Sequence, residues 1–234
     1  MTKTVETNTK KFRTRPSRRS VLKTAGAVLA APWIVPASVL GGGGSVAPSE
    51  RISLGVMGVG GRASFVIPHF IQERDLQLRA VCDCRSKRLA AGKQLVDGIY
   101  GNQDCSAYKD FRDMLARPDI DAIYIATGNR WHGLGSILAA KEGKNVYSEK
   151  PVTLTIAEGR TLVDITRRYG TVYQGGHQRR SVDSTRFVSE VVREGLIGKV
   201  RRIICTMWEG GVVRKMTPCP VPDGFDYDMW LGQT

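Results

Sequence analysis

The chain has 234 residues, 41% of them hydrophobic, with 35 Lys and Arg against 22 Asp and Glu. That length suits one large domain or one and a half ordinary ones, and the apolar content argues against wholesale disorder. A net charge of +13 invites a nucleic-acid reading, but eight of the bases, against two acids, lie in the first fifty residues. No long basic run with interleaved aromatics follows, so the pattern speaks against a nucleic-acid partner. Five cysteines (Cys82, Cys84, Cys105, Cys205 and Cys219) form no Cys-x-x-Cys pair, and no His stands at zinc-finger spacing. They read as small buried apolar residues and no metal site is expected, although a Cys205–Cys219 disulfide stays open in an oxidising compartment.

Residues 1–47 read as an address and linker. Ser17-Arg18-Arg19-Ser20-Val21-Leu22-Lys23 follows a basic stretch and precedes a mildly apolar run from Thr24 to Leu40. Pro32, Pro36 and the glycines 41–44 leave that run too broken for a comfortable membrane span. The segment resembles a twin-arginine export signal, departing only at Val21, where Phe is usual. The resemblance implies the twin-arginine translocation machinery as a partner and a destination in the periplasm or cell envelope. Export in the folded state would let a tightly held cofactor be loaded beforehand.

The stretch Arg51–Met57 reads as a buried strand running into Gly58-Val-Gly60-Gly61-Arg62-Ala63, then an apolar-periodic helix through Phe65, Val66, His69 and Phe70. The Gly-x-Gly-x-x-Ala pattern is a variant of the dinucleotide fingerprint. Gly58 allows a tight turn, Gly60 lets the backbone approach a pyrophosphate, and Ala63 permits close helix–strand packing. The helix N-terminus supplies N–H groups and partial positive charge. A second strand, Leu76–Cys82, ends at Asp83, 25 residues beyond Gly58. A carboxylate there can accept from both ribose hydroxyls or cap a helix starting near Ser86. It would repel a 2′-phosphate, so NAD is favoured over NADP, with Arg85 and Arg88 near enough in sequence to soften that preference.

Alternation continues with a short helix at Asp110–Ala116, a strand at Ile120–Ala126 and a helix at Gly135–Glu142. A fifth strand at Asn145–Ser148, a helix at Ile156–Tyr169 and a sixth strand at Thr171–Gln174 follow. This predicts a doubly wound, Rossmann-type parallel α/β sheet over 51–175, with ligands at the carboxyl ends of its strands.

Three segments follow such ends: Thr127-Gly-Asn-Arg-Trp-His132, Glu149-Lys150-Pro151 and Gly175-Gly-His-Gln-Arg-Arg180. Together with residues 58–62 and Asp83 they resemble the Gfo/Idh/MocA oxidoreductase family, with Glu-Lys-Pro as the most specific element. The resemblance covers residues 51–234 and implies hydride transfer between a nicotinamide cofactor and a sugar or polyol. It makes Lys150 the catalytic residue, able to hold the substrate oxygen and relay its proton. Glu149 would orient the ribose or the lysine, Thr127 and His132 would line the nicotinamide side, and Arg62 would contact cofactor or seal its loop. Arg179, Arg180 and His177 are weaker candidates on the substrate side, and Pro151 is a candidate for a cis bond in a sharp loop. One departure is Gly128, where the family commonly has Pro. Other readings remain open: a glycoside hydrolase of the same fold that uses NAD transiently, although such relatives tend to lack the lysine, and a cofactor-binding protein without turnover.

Residues 176–234 are expected to begin an α+β domain with a mostly antiparallel sheet that shapes the substrate pocket and forms homo-oligomer contacts in the full-length family. Val200–Trp208 reads as its first long strand. Pro220–Gly232 resembles a segment of exported members. The chain is expected to be truncated at its C-terminus and poorly packed after about Gly195, since one strand cannot bury its faces alone.

Overall fold

The computed structural model describes residue 41, residues 46–207 and residues 217–233. The twin-arginine pattern at 17–23 lies outside them, and among the described residues no helix is long and apolar enough to cross a membrane. Six strands form one sheet: β1 (Ile52–Met57), β2 (Leu76–Cys82), β3 (Ser106–Tyr108), β4 (Ala122–Ile125), β5 (Asn145–Glu149) and β6 (Tyr173–Gly176). Their order is β3-β2-β1-β4-β5-β6 and every pairing is parallel. The helices are α1 (Gly61–Gln72), α2 (Ser86–Tyr100), α3 (Phe111–Leu115), α4 (His132–Lys141), α5 (Ile156–Tyr169), α6 (Asp183–Arg193) and α7 (Tyr227–Leu231). This is the doubly wound sheet that the alternation predicts. Its winding reverses between β1 and β4, which opens a crevice at their carboxyl ends.

Central β1 is buried along nearly its whole length because both sheet faces are covered. Leu54 and Val56 point into a cluster with Ala63 and Ile67 of α1 and Leu89 and Val96 of α2. Met57 points the other way, into Phe111 and Met114 of α3, Ile123 and Ile125 of β4, and Ala139 of α4. Each such aliphatic side chain contributes about 1.5–3 kcal/mol on burial. Helix α1 buries Ala63 and Ile67, with Val66 and Phe70 packed partly against the core. The expected apolar stripe is therefore shifted: Phe65 and His69 are exposed, their rings 5.3 Å apart. At the start of α5, Thr155 Oγ1 accepts from Glu158 N (3.1 Å) while Glu158 Oε2 accepts from Leu154 N (2.9 Å). This reciprocal cap explains why the helix begins at Ile156.

Two boundaries differ from expectation. β3 is only three residues long and carries no alternation signal of its own. Helix α4 starts at His132 rather than Gly135, because a 3-10 turn at Asn129–Trp131 feeds directly into it.

The expected strand at 200–208 is a larger correction. Residues 201–207 are irregular, with Ile203 and Ile204 largely exposed, and Trp208 lies outside the described residues. An extended segment needs a neighbour to take its backbone hydrogen bonds, and among the described residues none lies beside it. No antiparallel sheet of a second domain is seen among these residues. Loose packing after Gly195 holds for 196–207 but not for 224–233, which dock on the Rossmann unit. All five cysteines are free, so Cys205 and Cys219 form no disulfide. Cys82 and Cys105 are buried as expected, and burial pushes the Cys105 thiol up to about 11.

Candidate functional site

The turn after β1 depends on one backbone conformation. Gly58 has φ +87°, donates its N–H to Cys82 O (2.8 Å), and sits where a Cβ would lie 2.9 Å from Ala126 O and from Thr127 Cγ2. A side chain would be both strained and obstructed. Above it the loop is open. A Cβ on Gly60 would meet nothing nearer than Arg88 Nη1 at 3.5 Å, and one on Gly61 nothing within 4 Å. That space faces the N-terminus of the twelve-residue helix α1. The first-turn N–H groups have no intrahelical acceptor there. Open room, orphan donors and the positive end of a helix dipole fit a pyrophosphate.

Buried Asp83 secures this loop. Its Oδ2 accepts from Val59 N (3.0 Å) and its Oδ1 from Arg85 N (2.8 Å). It is not the cap of α2, whose N-cap position is Arg85. Each oxygen keeps a second lone pair for a ribose hydroxyl, and Asp83 lines a cavity of about 300 Å³ between the ends of β2 and β4. Gly58, Gly60, Arg85, Arg88 and Thr127 line it too.

Across the β1/β4 switch point lies a second cavity of about 350 Å³, lined by Arg62, Thr127, Asn129, His132, Glu149, Lys150 and Gln178. The two cavities share Ala126 and Thr127. Glu149, 4% exposed, is the hub of the second. Its Oε1 accepts from Arg62 Nε (2.7 Å) and the Tyr124 hydroxyl (3.0 Å), and its Oε2 accepts from Gln178 Nε2. Burial pushes the Glu149 carboxyl up, but the hydrogen bonds from Arg62, Tyr124 and Gln178 together outweigh burial and hold it below its ordinary value. Burial, reinforced by the Glu149 charge, pushes the Tyr124 phenol up, so it stays a donor.

A group whose folded pKa is depressed stabilises above its unfolded pKa, and that contribution is lost as pH falls through the folded value. Glu149→Gln is therefore expected to cost about 1–3 kcal/mol at pH 7, because it sets amide N–H groups against donors. The gap to wild type should begin to narrow as pH falls below the ordinary glutamate range and close as pH passes through the lowered native value, where the folded carboxyl protonates. Urea melts of both proteins at neutral and acid pH check this; a gap independent of pH would remove the charge from the account.

Lys150 follows Glu149 at the mouth of this cavity. It is exposed, and among the described residues its ammonium has no hydrogen-bond or ion-pair partner. The Lys150–Pro151 peptide is cis. His132 is buried, with Nδ1 2.6 Å from Pro151 O and Nε2 3.2 Å from Thr127 O, so it fastens the β4 loop to the Glu-Lys-Pro loop. Gly128 has φ −67° and ψ 149°. Proline would hold φ at that value, so Gly128 takes a backbone conformation that proline could also adopt.

Arg62, Thr127, His132, Glu149 and Lys150 thus come together. His177, Arg179 and Arg180 do not: all three are exposed and line neither cavity. Arg180 lines a separate groove along α6 with Arg186 and Arg193. The residue brought in from that segment is Gln178, turned inward by a 3-10 turn at Gln178–Ser181. Tyr124 escapes sequence inspection because it reads as strand core. Asn129 carries no pattern beyond its place after a strand.

Fold and cavities together define a dinucleotide-binding Rossmann protein. The chain belongs to the Gfo/Idh/MocA oxidoreductase family with an NAD-binding Rossmann fold, whose model matches residues 52–177. It is 27% identical to a myo-inositol 2-dehydrogenase of Thermotoga maritima, over 74% of this chain and 47% of that protein. It is also 27% identical to an alpha-N-acetylgalactosaminidase of Shewanella oneidensis, over 78% of this chain and 44% of that protein. Among solved structures it resembles a scyllo-inositol dehydrogenase from Lactobacillus casei with bound NAD(H) and scyllo-inositol. That match has a TM-score of 0.55 at 26% identity and covers 63% of this chain and 42% of that one. The chain spans less than half the length of each of these relatives.

Proposed function

We propose that this chain carries the cofactor half of a nicotinamide-dependent dehydrogenase acting on a sugar or polyol. The observation that supports this best is the pair of cavities flanking the Gly58 turn: Asp83 lines one and Lys150 the other. When bound, the nicotinamide ring would supply the hydride acceptor or donor. Asp83 holds the adenosine ribose and favours NAD over NADP. The N-terminus of α1 holds the pyrophosphate. Glu149, itself held by Arg62, Tyr124 and Gln178, fixes the start of the Glu-Lys-Pro loop and hence the place of Lys150. Lys150 then binds the reacting oxygen and moves its proton. Asn129 offers a further polar group on the same wall.

The full-length enzyme is proposed to be exported by the twin-arginine route with its nucleotide bound, and to work as a homo-oligomer. The test is to purify it, determine whether NAD(H) accompanies it, and screen sugars and polyols for a change in nicotinamide absorbance. Absence of any bound or bindable nicotinamide dinucleotide would overturn the proposal. A second reading, NAD-assisted glycoside cleavage, is supported by the likeness to the galactosaminidase. Release of p-nitrophenol from an N-acetyl-α-galactosaminide without net change in NADH would select it.

A further inference from the structure

Residues 224–233 lie across the mouth of the first cavity and are fastened at both sides. On the β2 side, Ser86 N donates to Gly224 O (2.8 Å) and Asp226 N donates to Cys84 O (2.9 Å). Between them Arg85 and Phe225 form an antiparallel bridge, with the Arg85 guanidinium 4.1 Å from the Phe225 ring centre. On the β4 side, Trp131 Nε1 donates to Met229 O (2.8 Å), Arg130 Nε donates to Trp230 O (2.5 Å), and Gln233 donates to Arg130 O. Gly232, at φ +66°, lies so close to Trp131 that a Cβ would fall 2.8 Å from its ring. The segment is thus fitted to the two loops that bound the cavity, and it contributes Met229 and Trp230 to the lining.

The chemistry of this wall differs from that of the second cavity. Arg130 lies 4.0 Å from the Trp230 ring centre, which holds its guanidinium against the indole, and Met229 adds a polarisable thioether beside it. Planar cations, indoles and thioethers suit a purine, which has flat apolar faces and polar edges. The second cavity offers Arg62, Asn129, His132, Glu149, Lys150 and Gln178, with no indole and no thioether.

We propose that residues 224–233 are a strap that completes the adenine subsite, with Arg130, Met229 and Trp230 as the side chains that meet the base. The strap orients the dinucleotide with adenine beneath it and nicotinamide toward Lys150, and it slows nucleotide release. This rests on the dinucleotide reading of the cleft.

AMP isolates the adenosine half, so its affinity is the readout, measured by calorimetry on the full chain. Trp230→Ala is expected to weaken AMP and NAD binding about 10- to 100-fold, the range of one lost base–aromatic contact. Gly232→Ala, which lies outside the cavity lining, should act in the same direction by lifting the strap from Trp131. Trp230→Phe should recover part of the loss. In the wild type, AMP should slow hydrogen exchange of the backbone amides in 224–233. Unchanged AMP affinity in both alanine variants, or unchanged exchange in the wild type if those variants do not fold, would overturn the strap while leaving the dinucleotide reading intact. A wild type that binds neither AMP nor NAD would overturn that reading itself.

Discussion

Lys150→Ala is expected to lower turnover by about 10²- to 10⁴-fold, the usual range for a positioned acid–base group, while NAD affinity stays within about threefold of wild type. The separation follows from the layout. Lys150 lines only the second cavity, whereas the Gly58 turn, Asp83 and the first cavity lie on the other side of Ala126 and Thr127. Lys150→Arg should not restore turnover, because a guanidinium keeps its proton and is a larger, planar group. The loss should fall on kcat more than on KM, since proton transfer matters in the transition state more than in the bound ground state. Steady-state kinetics on the full-length enzyme, with calorimetry for NAD, read both quantities. Turnover close to wild type in the alanine variant would place the proton on another group of this wall. Loss of NAD binding alongside turnover would show that Lys150 acts through the loop rather than on substrate.

How much of this was legible beforehand depended on the range of each interaction. The β1–turn–α1 unit and Asp83 are written locally: a strand, three small residues at fixed spacing and a carboxylate 25 residues on. The alternation of β2, β4, β5 and β6 with helices was likewise readable, because buried parallel strands are short continuous apolar runs. β3 was not, since three residues carry no period. The Glu149 hub shows the limit. Glu149 was marked by its place after a strand, but its partners come from α1, β4 and the turn after β6, and no local pattern connects positions 62, 124, 149 and 178. In the last segment, choosing among three consecutive polar residues required the sense of the 3-10 turn. His177 and Arg179 face solvent, and Gln178 between them faces in. The strap is the extreme case. Trp230 reaches Arg130 across a separation of 100 residues, and the same stretch of sequence reads equally well as part of a second domain.

Gly58 and Gly60 are expected to respond differently to alanine, and the difference separates a structural glycine from a ligand-facing one. At Gly58 the left-handed backbone and the collision with Ala126 O both oppose a side chain. Gly58→Ala should therefore lower stability by about 1–3 kcal/mol. It should also weaken NAD binding, since the turn can relieve the contact only by moving the N–H groups at the start of α1. Losing one charge-assisted hydrogen bond, worth roughly 1.5–3 kcal/mol, corresponds to about 10- to 100-fold in Kd. At Gly60 the backbone is extended, with φ −74° and ψ −172°, and the nearest atom to an added Cβ is 3.5 Å away. The protein has no steric reason to resist Gly60→Ala, so the melting temperature should stay within a degree or two of wild type. The space that the methyl enters is the space assigned to the pyrophosphate, and NAD affinity should again fall by about tenfold or more. Thermal melts and NAD titrations of the two variants make a four-way comparison. A Gly60→Ala protein that melts normally and binds NAD normally would mean that the open room above the turn is not where the dinucleotide lies, whatever Gly58→Ala does.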